Sequence, residues 1–295
     1  VRSADNGVTW TAVTSGFGAT DINGLACDRA GVWVAVGAAG KVSRSTDNGA
    51  TWAAVTSGLT GSDTLYSVAC DRNSTFVATY SGGVLLGALR STNKGAAWAA
   101  VTINNTASVQ AGHKAVATDR KGVWIATSFS RDYFRSTDDG ATWAIITGVT
   151  GALASRIATD GKGTWFAARS AAGATIVRSF DNGLTWTLGP SFPTSQTAQA
   201  IATDSNGTWI VGDSGAQFAR STDNGVTWSN SAVAGLTGGA LCACFGKDGV
   251  AITGAASGVL RRSVPTYGYD TATQFKLPNQ PAAIGLAAYI KAKDA

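Results

Sequence analysis

The eight residues Ser45-Thr46-Asp47-Asn48-Gly49-Ala50-Thr51-Trp52 constrain this chain more than any other stretch, because they come back. The pattern recurs as Ser3–Trp10, Ser91–Trp98, Ser136–Trp143, Ser179–Trp186 and Ser221–Trp228. The starting serines stand 42, 46, 45, 43 and 42 residues apart. Self-similarity at that period means a chain built from one supersecondary unit, and a single unit cannot bury its own faces. The 295 residues therefore read as one repeat domain rather than two ordinary ones.

Each residue of the unit has a physical job. Asp47-Asn48-Gly49 is a hairpin-turn signal: the carboxylate can accept amides ahead of it, and glycine tolerates positive φ. Ser45 and Thr51 offer hydroxyls to close the same loop. Trp52 opens the next strand with bulk enough to fill the space between sheets. The third copy has Asn93 for the aspartate and Ala97 for the threonine, so its loop should hold fewer hydrogen bonds. This pattern resembles the Asp-box, or BNR repeat, of sialidases and other β-propellers.

A second signature precedes most boxes: Leu25-Ala26-Cys27-Asp28-Arg29-Ala30-Gly31-Val32-Trp33, then alternating apolar residues. It returns at 116–127, 157–168 and 201–212, more loosely at 68–80 and 241–253. Apolar alternation on both sides of an Asp-x-x-Gly turn reads as a hairpin. With one strand before the box and one after it, each repeat supplies four antiparallel strands, which is a propeller blade. The expected fold is all-β: a six-bladed β-propeller over residues 1–263, with residues 264–295 as an extended C-terminal arm. The sixth repeat has no box, and the chain starts with one. Hence the N-terminal strand, 1–13, is expected to close the ring in the last blade, removing free edges. Arg2 and Arg262 would then compete for one place at the seam.

All ten tryptophans fall into this register: six end the boxes, and Trp33, Trp124, Trp165 and Trp209 share the second-strand position. Such regularity points to packing. Cys27, Cys70 and Cys244 are read as one repeat position that holds threonine elsewhere. Together with Cys242 they are expected to be free thiols rather than a disulfide framework or metal site.

The net charge of +5 raises nucleic acid as a partner, but seven of the fourteen arginines directly precede a box serine or its equivalent. Cations spread round a ring do not make the basic stripe that nucleic acid needs. No apolar run reaches the ~20 residues of a membrane span. Asp28, Asp71, Asp119, Asp160 and Asp204 are expected on the face of the repeating arginines, where they could pair with them.

Chemistry is sparse. The chain contains no Glu, and His113 is its one histidine, so His-based triads and His metal clusters are excluded. No catalytic residue, metal or cofactor is assigned. The box resemblance implies a sialidase-like glycosidase as one alternative, yet no carboxylate partner for a tyrosine nucleophile and no Arg-Ile-Pro motif can be placed. A glycosidase of another kind would need two facing aspartates, from Asp21, Asp63, Asp132 and Asp213. The repeat is also similar to the photosystem II assembly propeller, which implies an assembly factor as another alternative. The candidate ligand surface is Tyr80, Arg131, Asp132, Tyr133 and Arg169, on loops that vary between repeats, where function tends to sit.

Beyond 263 the repeat ends. Tyr269-Asp270-Thr271-Ala272-Thr273-Gln274-Phe275-Lys276-Leu277-Pro278-Asn279, with the closing Tyr289-Ile290-Lys291-Ala292, resembles the C-terminal ends of bacteriophage tail and tail-fibre proteins. The resemblance implies an extracellular virion component: a non-enzymatic structural or host-attachment protein, with other tail proteins as partners in a homo-oligomeric or larger assembly. A cell-surface glycan is the expected receptor class. Docking is expected through Tyr267, Tyr269, Phe275 and Leu277, and further along through Ile284, Leu286, Tyr289 and Ile290.

Overall fold

The computed structural model describes residues 1–5, 8–82, 87–103, 113–128, 132–149, 154–169, 175–191, 197–215, 217–231, 239–245, 251–255, 259–264, 268–269 and 275–276. Among them there are strands and turns and no helix. The first sheet is β1 (Ile22–Cys27), β2 (Trp33–Gly37), β3 (Val42–Ser45) and β4 (Ala53–Val55), and the second is β5 (Thr64–Cys70), β6 (Phe76–Ser81), β7 (Gly87–Ser91) and β8 (Ala99–Thr102). The third holds β9 (His113–Thr118), β10 (Trp124–Ser128), β11 (Tyr133–Ser136) and β12 (Ala144–Ile146). The fourth holds β13 (Ala154–Thr159), β14 (Trp165–Arg169), β15 (Thr175–Ser179) and β16 (Thr187–Ser191). In the fifth are β17 (Ala198–Thr203), β18 (Trp209–Asp213), β19 (Phe218–Ser221) and β20 (Ser229–Ser231). The sixth starts with β21 (Ala240–Phe245), β22 (Ala251–Ala255) and β23 (Val259–Val264). Within these sheets the pairings run between antiparallel chain neighbours from β1 to β23, as the hairpin signals require.

The core is a series of layers between sheets. Val34, Val36 and Val42 of the first sheet meet Leu65, Phe76 and Tyr80 of the second. Val77 and Ala88 then meet Trp124 and Phe134; Ile125 and Tyr133 meet Trp165 and Trp186; Phe166 and Ile176 meet Ile201 and Trp209; Ala202 and Ile210 meet Ala251. The second to fifth sheets are each sandwiched by two neighbours, so their second strands must be apolar on both faces. Strands β2, β10 and β18 are buried at all five positions, whereas β4 and β12 are mostly exposed. The first strands of consecutive sheets also lie against each other, from β1 and β5 through to β17 and β21.

A feature absent from the sequence reading repeats in all six first strands. The register shifts by one residue at the same place, leaving Asn23, Tyr66, Lys114, Ser155, Gln199 and Leu241 as bulged residues. A bulge bends the strand and re-aims one side chain. Here it sends hydrogen bonds across the sheet gap: Asn23 Nδ2 donates to the Leu65 carbonyl at 2.9 Å, and Ser155 Oγ to that of Ala198 at 2.9 Å. Register also corrects the cysteine alignment. Phe245 pairs with Ala251 as Cys27 pairs with Trp33, so Phe245 and not Cys244 holds the repeat position. All four cysteines are free. His113 opens β9.

The seam differs from expectation. Arg2 bridges Thr11 within the N-terminal segment, while β23 is flanked by β24 (Gly268–Tyr269) and β25 (Phe275–Lys276). The C-terminal residues thus add strands to the sixth sheet where the N-terminal strand was expected. The physical reason is proximity: pairing β23 with the segment that directly follows it closes a short loop, at a small entropy cost.

Candidate functional site

Both sets of turns lie at one end of the sheets. The box residue Asn48 donates its amide to the Gly31 carbonyl of its own first hairpin at 2.9 Å, and Lys94, Asn182 and Asn224 do the same to Ser74, Gly163 and Gly207. Within a box, Ser45 Oγ donates to Asp47 Oδ1 (2.7 Å) and accepts the Gly49 amide (2.9 Å). The Thr51 amide and hydroxyl bind the two carboxylate oxygens, and Trp52 Nε1 reaches the Gly49 carbonyl. The third box keeps the Ser91, Gly95, Ala97 and Trp98 bonds and lacks the threonine hydroxyl contact, since Ala97 has no hydroxyl to offer Asn93. These contacts spend the box aspartates on scaffolding.

The repeating arginines do not pair with the hairpin aspartates. Asp28 Oδ1 accepts the amides of Ala30 and Val32, and Asp71, Asp119, Asp160 and Asp204 hold their own turns in the same way. Among the described residues one ion pair forms, Lys94 Nζ to Asp28 Oδ2 at 3.7 Å. The arginines instead reach one sheet onward: Arg2 Nε donates to the Asn48 carbonyl (2.8 Å), Arg44 to Lys94 (2.6 Å), Arg90 to Asp139 (2.8 Å) and Arg135 to Asn182 (3.1 Å). Arg178 Nη1 reaches Gly225 (3.3 Å).

The opposite end carries the loops that differ between repeats. Tyr80 and Tyr133 stand at this end but are 2% and 1% exposed, because their rings fill the gaps to neighbouring sheets. Tyr133 packs 5.1 Å from Trp186, centroid to centroid. Burial pushes the Tyr80 and Tyr133 hydroxyls up from their ordinary value; nearby Asp63 adds to the effect on Tyr80, and Arg169 partly offsets it on Tyr133. Asp132, half-buried, forms a tight loop in which Ser128 N donates to its carbonyl and its own amide donates to Ser128 Oγ. The Tyr133 hydroxyl and Arg169 Nε are both buried and have no hydrogen-bond partner. The structure therefore brings Tyr133 and Arg169 to the gap between the third and fourth sheets, with Asp132 beside Tyr133, and leaves Tyr80 two gaps away, between the first and second sheets, while Arg131 lies outside the described residues. Of the expected docking residues, Tyr269 and Phe275 lie in β24 and β25. Tyr267, Leu277, Ile284, Leu286, Tyr289 and Ile290 lie outside the described residues.

Asp63 and Asp213, offered as glycosidase carboxylates, are buried and hold their own loops. Asp63 Oδ2 accepts from Thr60, and Asp213 Oδ1 from Gly215 and Gln217. Among the described residues no three His, Cys or Asp side chains group as metal ligands. Sequence reading missed one cluster: Arg29, Arg72 and Arg120 follow the hairpin aspartate in the first three repeats, and the thrice-repeated Asp-Arg pair was the signal.

The sequence matches no family model and no curated protein. Many solved structures share the fold. A structure titled YCF48 bound to D1 peptide aligns with a TM-score of 0.69 at 15% identity, over 93% of this chain and 89% of that one. Streptogramin B lyase aligns at 0.74 and 14%, over 88% and 84%. The GH74 xyloglucanase from Xanthomonas campestris gives 0.64 and 18%, over 88% of this chain and 46% of the enzyme. All are β-propellers of four-stranded antiparallel blades, and so is this chain. The expectation of a non-enzymatic protein does not stand: the same scaffold carries a lyase and a glycosidase, so the fold itself is compatible with catalysis.

Proposed function

We propose that the chain is a recognition propeller of a bacteriophage tail, binding a cell-surface glycan at the loop end around Asp132, Tyr133 and Arg169, with Arg131 and Tyr80 contributing from adjacent loops. The observation that carries the binding site is the pair of buried, unpartnered donors, Tyr133 Oη and Arg169 Nε. Leaving such donors unmade costs about 1–3 kcal/mol each, and a sugar hydroxyl or carboxylate oxygen would satisfy both. The placement on a tail rests on the sequence of residues 264–295. A glycan array with the wild-type protein, Tyr133→Phe and Arg169→Ala tests the site. Binding that both substitutions abolish supports it, and binding that neither alters removes it. Mass spectrometry of any bound glycan after incubation separates binding from cleavage.

The same proposal includes a closed, six-bladed ring. Five arginines clasp the box of the following sheet, and Arg220 is the next in that series, with no box downstream of it in the sequence. Ser3–Trp10 is the box left over. Its docking beside Arg220 makes removal of 1–13 and Arg220→Ala non-additive in stability; full additivity rejects the closure.

A further inference from the structure

The turn end carries a feature that the glycan reading does not use. Arg29, Arg72 and Arg120 occupy the same turn slot on the first, second and third sheets, each in the left-handed region at φ of 63°, 73° and 63°. That backbone conformation fixes the direction of all three side chains relative to their sheets, and the first strands β1, β5 and β9 lie side by side beneath them. All three residues reach the surface, with the Arg72 and Arg120 side chains partly packed against the protein. The adjoining carboxylates make no direct pair with them: Asp28, Asp71 and Asp119 face their own turns, Lys94 and Asn182 Nδ2. Among the described residues no carboxylate pairs with these arginines.

The three charges feel each other. Arg72 is lowered by burial and then by Arg29; Arg120 is pushed down to about 10 by burial and then by Arg72 and Arg29. The groups beneath are the Cys27 and Cys70 thiols, which burial pushes up and so keeps neutral. In the equivalent slot the fourth and fifth sheets carry Gly161 and Ser205, and the sixth repeat carries Lys247 in sequence, so arginine occupies the slot on three consecutive sheets only. Three unneutralised guanidiniums held together repel one another, and that repulsion is relieved when an anion enters. Their planar forks suit bidentate contact with oxyanions.

We propose that Arg29, Arg72 and Arg120 form a binding site for a multivalent oxyanion, an anion with two or more carboxylate or phosphate groups a few ångströms apart. The probes are citrate and inorganic tripolyphosphate, titrated calorimetrically into the full chain at low salt. The expected result is saturable binding of at least one probe to a single site, weakening as salt rises. Citrate alone identifies carboxylate chemistry and tripolyphosphate alone phosphate chemistry. Arg72→Ser should lower the affinity at least tenfold with an unchanged melting temperature, since Ser205 shows that serine fits the slot at φ 63°. Lys162→Ala, a cation on the fourth sheet, should leave it unchanged. Absence of binding by both probes overturns the proposal, as does an equal loss in Arg72→Ser and Lys162→Ala, which would mean diffuse charge attraction. Because the site lies at the far end from Tyr133 and Arg169, Tyr133→Phe should not alter it, so its failure and that of the glycan site are separable.

Discussion

Arg90 donates its Nε to the backbone carbonyl of Asp139, 2.8 Å away and 49 positions later in the chain. The same clasp joins four other pairs of neighbouring segments, so five of the six arginines that precede a box tie it to the next one. Replacing Arg90 with alanine should cost about 1 kcal/mol, the lower end for a charged donor because the site is exposed. Lysine should rescue only part, lacking the guanidinium fork. Urea unfolding of the two variants measures both.

Gly225 shows why the box demands glycine. It sits at φ 79°, and a Cβ added there would stand 2.1 and 2.3 Å from atoms of the Phe166 ring on the preceding sheet. Gly225→Ala should therefore destabilise by about 2–4 kcal/mol through strain and overpacking. Phe166→Leu should recover part of that loss, and a double-mutant cycle should show coupling between the two positions.

One box can be improved from its own siblings. Trp165 and Trp209 donate Nε1 to Asn182 and Asn224 Oδ1 at 3.0 and 2.9 Å, while the buried Trp124 Nε1 has no acceptor. The third sheet carries Asp139, also at positive φ (56°), where the second has Lys94 and the remaining boxes have asparagine. Asp139→Asn should raise stability by about 1 kcal/mol, because an amide, unlike a carboxylate, can donate to the turn aspartate of the preceding sheet, as Asn182 Nδ2 does to Asp119 at 3.2 Å, while its oxygen accepts from Trp124; a rise in melting temperature reads this out.

Acid should loosen the boxes. The Thr227 hydroxyl and amide, then the Ser221 hydroxyl, lower the Asp223 carboxyl from 3.8 to about 2, and Thr9 and Ser3 do the same for Asp5. A carboxylate lowered on folding contributes stability that is complete above about pH 4 and is lost as pH falls toward 2. Asp223→Asn, which copies the natural Asn93, should flatten the pH dependence of the melting temperature in that window.

Tyr133→Phe separates packing from binding. Removing a buried hydroxyl with no partner should leave stability unchanged or raise it by up to about 1 kcal/mol, whereas glycan capture on the array should disappear. Thermal melts of the free protein supply the first number.

The period, the four strands per repeat and the structural use of the tryptophans were legible because each is written six times or nearly so. Trp124, Trp165 and Trp209 are fully buried, as their shared register implies. The bulge at Asn23 and its counterparts was not legible, since asparagine, tyrosine, lysine, serine, glutamine and leucine share no side-chain chemistry; the backbone alone repeats there. The arginines misled for a related reason. Charge complementarity suggested Asp28 and Asp71 as partners, but backbone carbonyls one sheet away compete and win, because the hairpin amides already occupy those carboxylates. At the loop end Tyr80 and Tyr133 looked like tips, yet the third strand starts inside the sheet gap and takes Tyr133 with it.

The clasps run only between immediate neighbours, so resistance to opening is shared out link by link and no central knot holds the whole. A tear starts at the weakest link. That link joins the two ends of the chain, where the sixth repeat brings no box of its own and Arg220 depends on the one at Ser3–Trp10, so hydrogen exchange should reach the amides of the sixth sheet before those of β2 or β10.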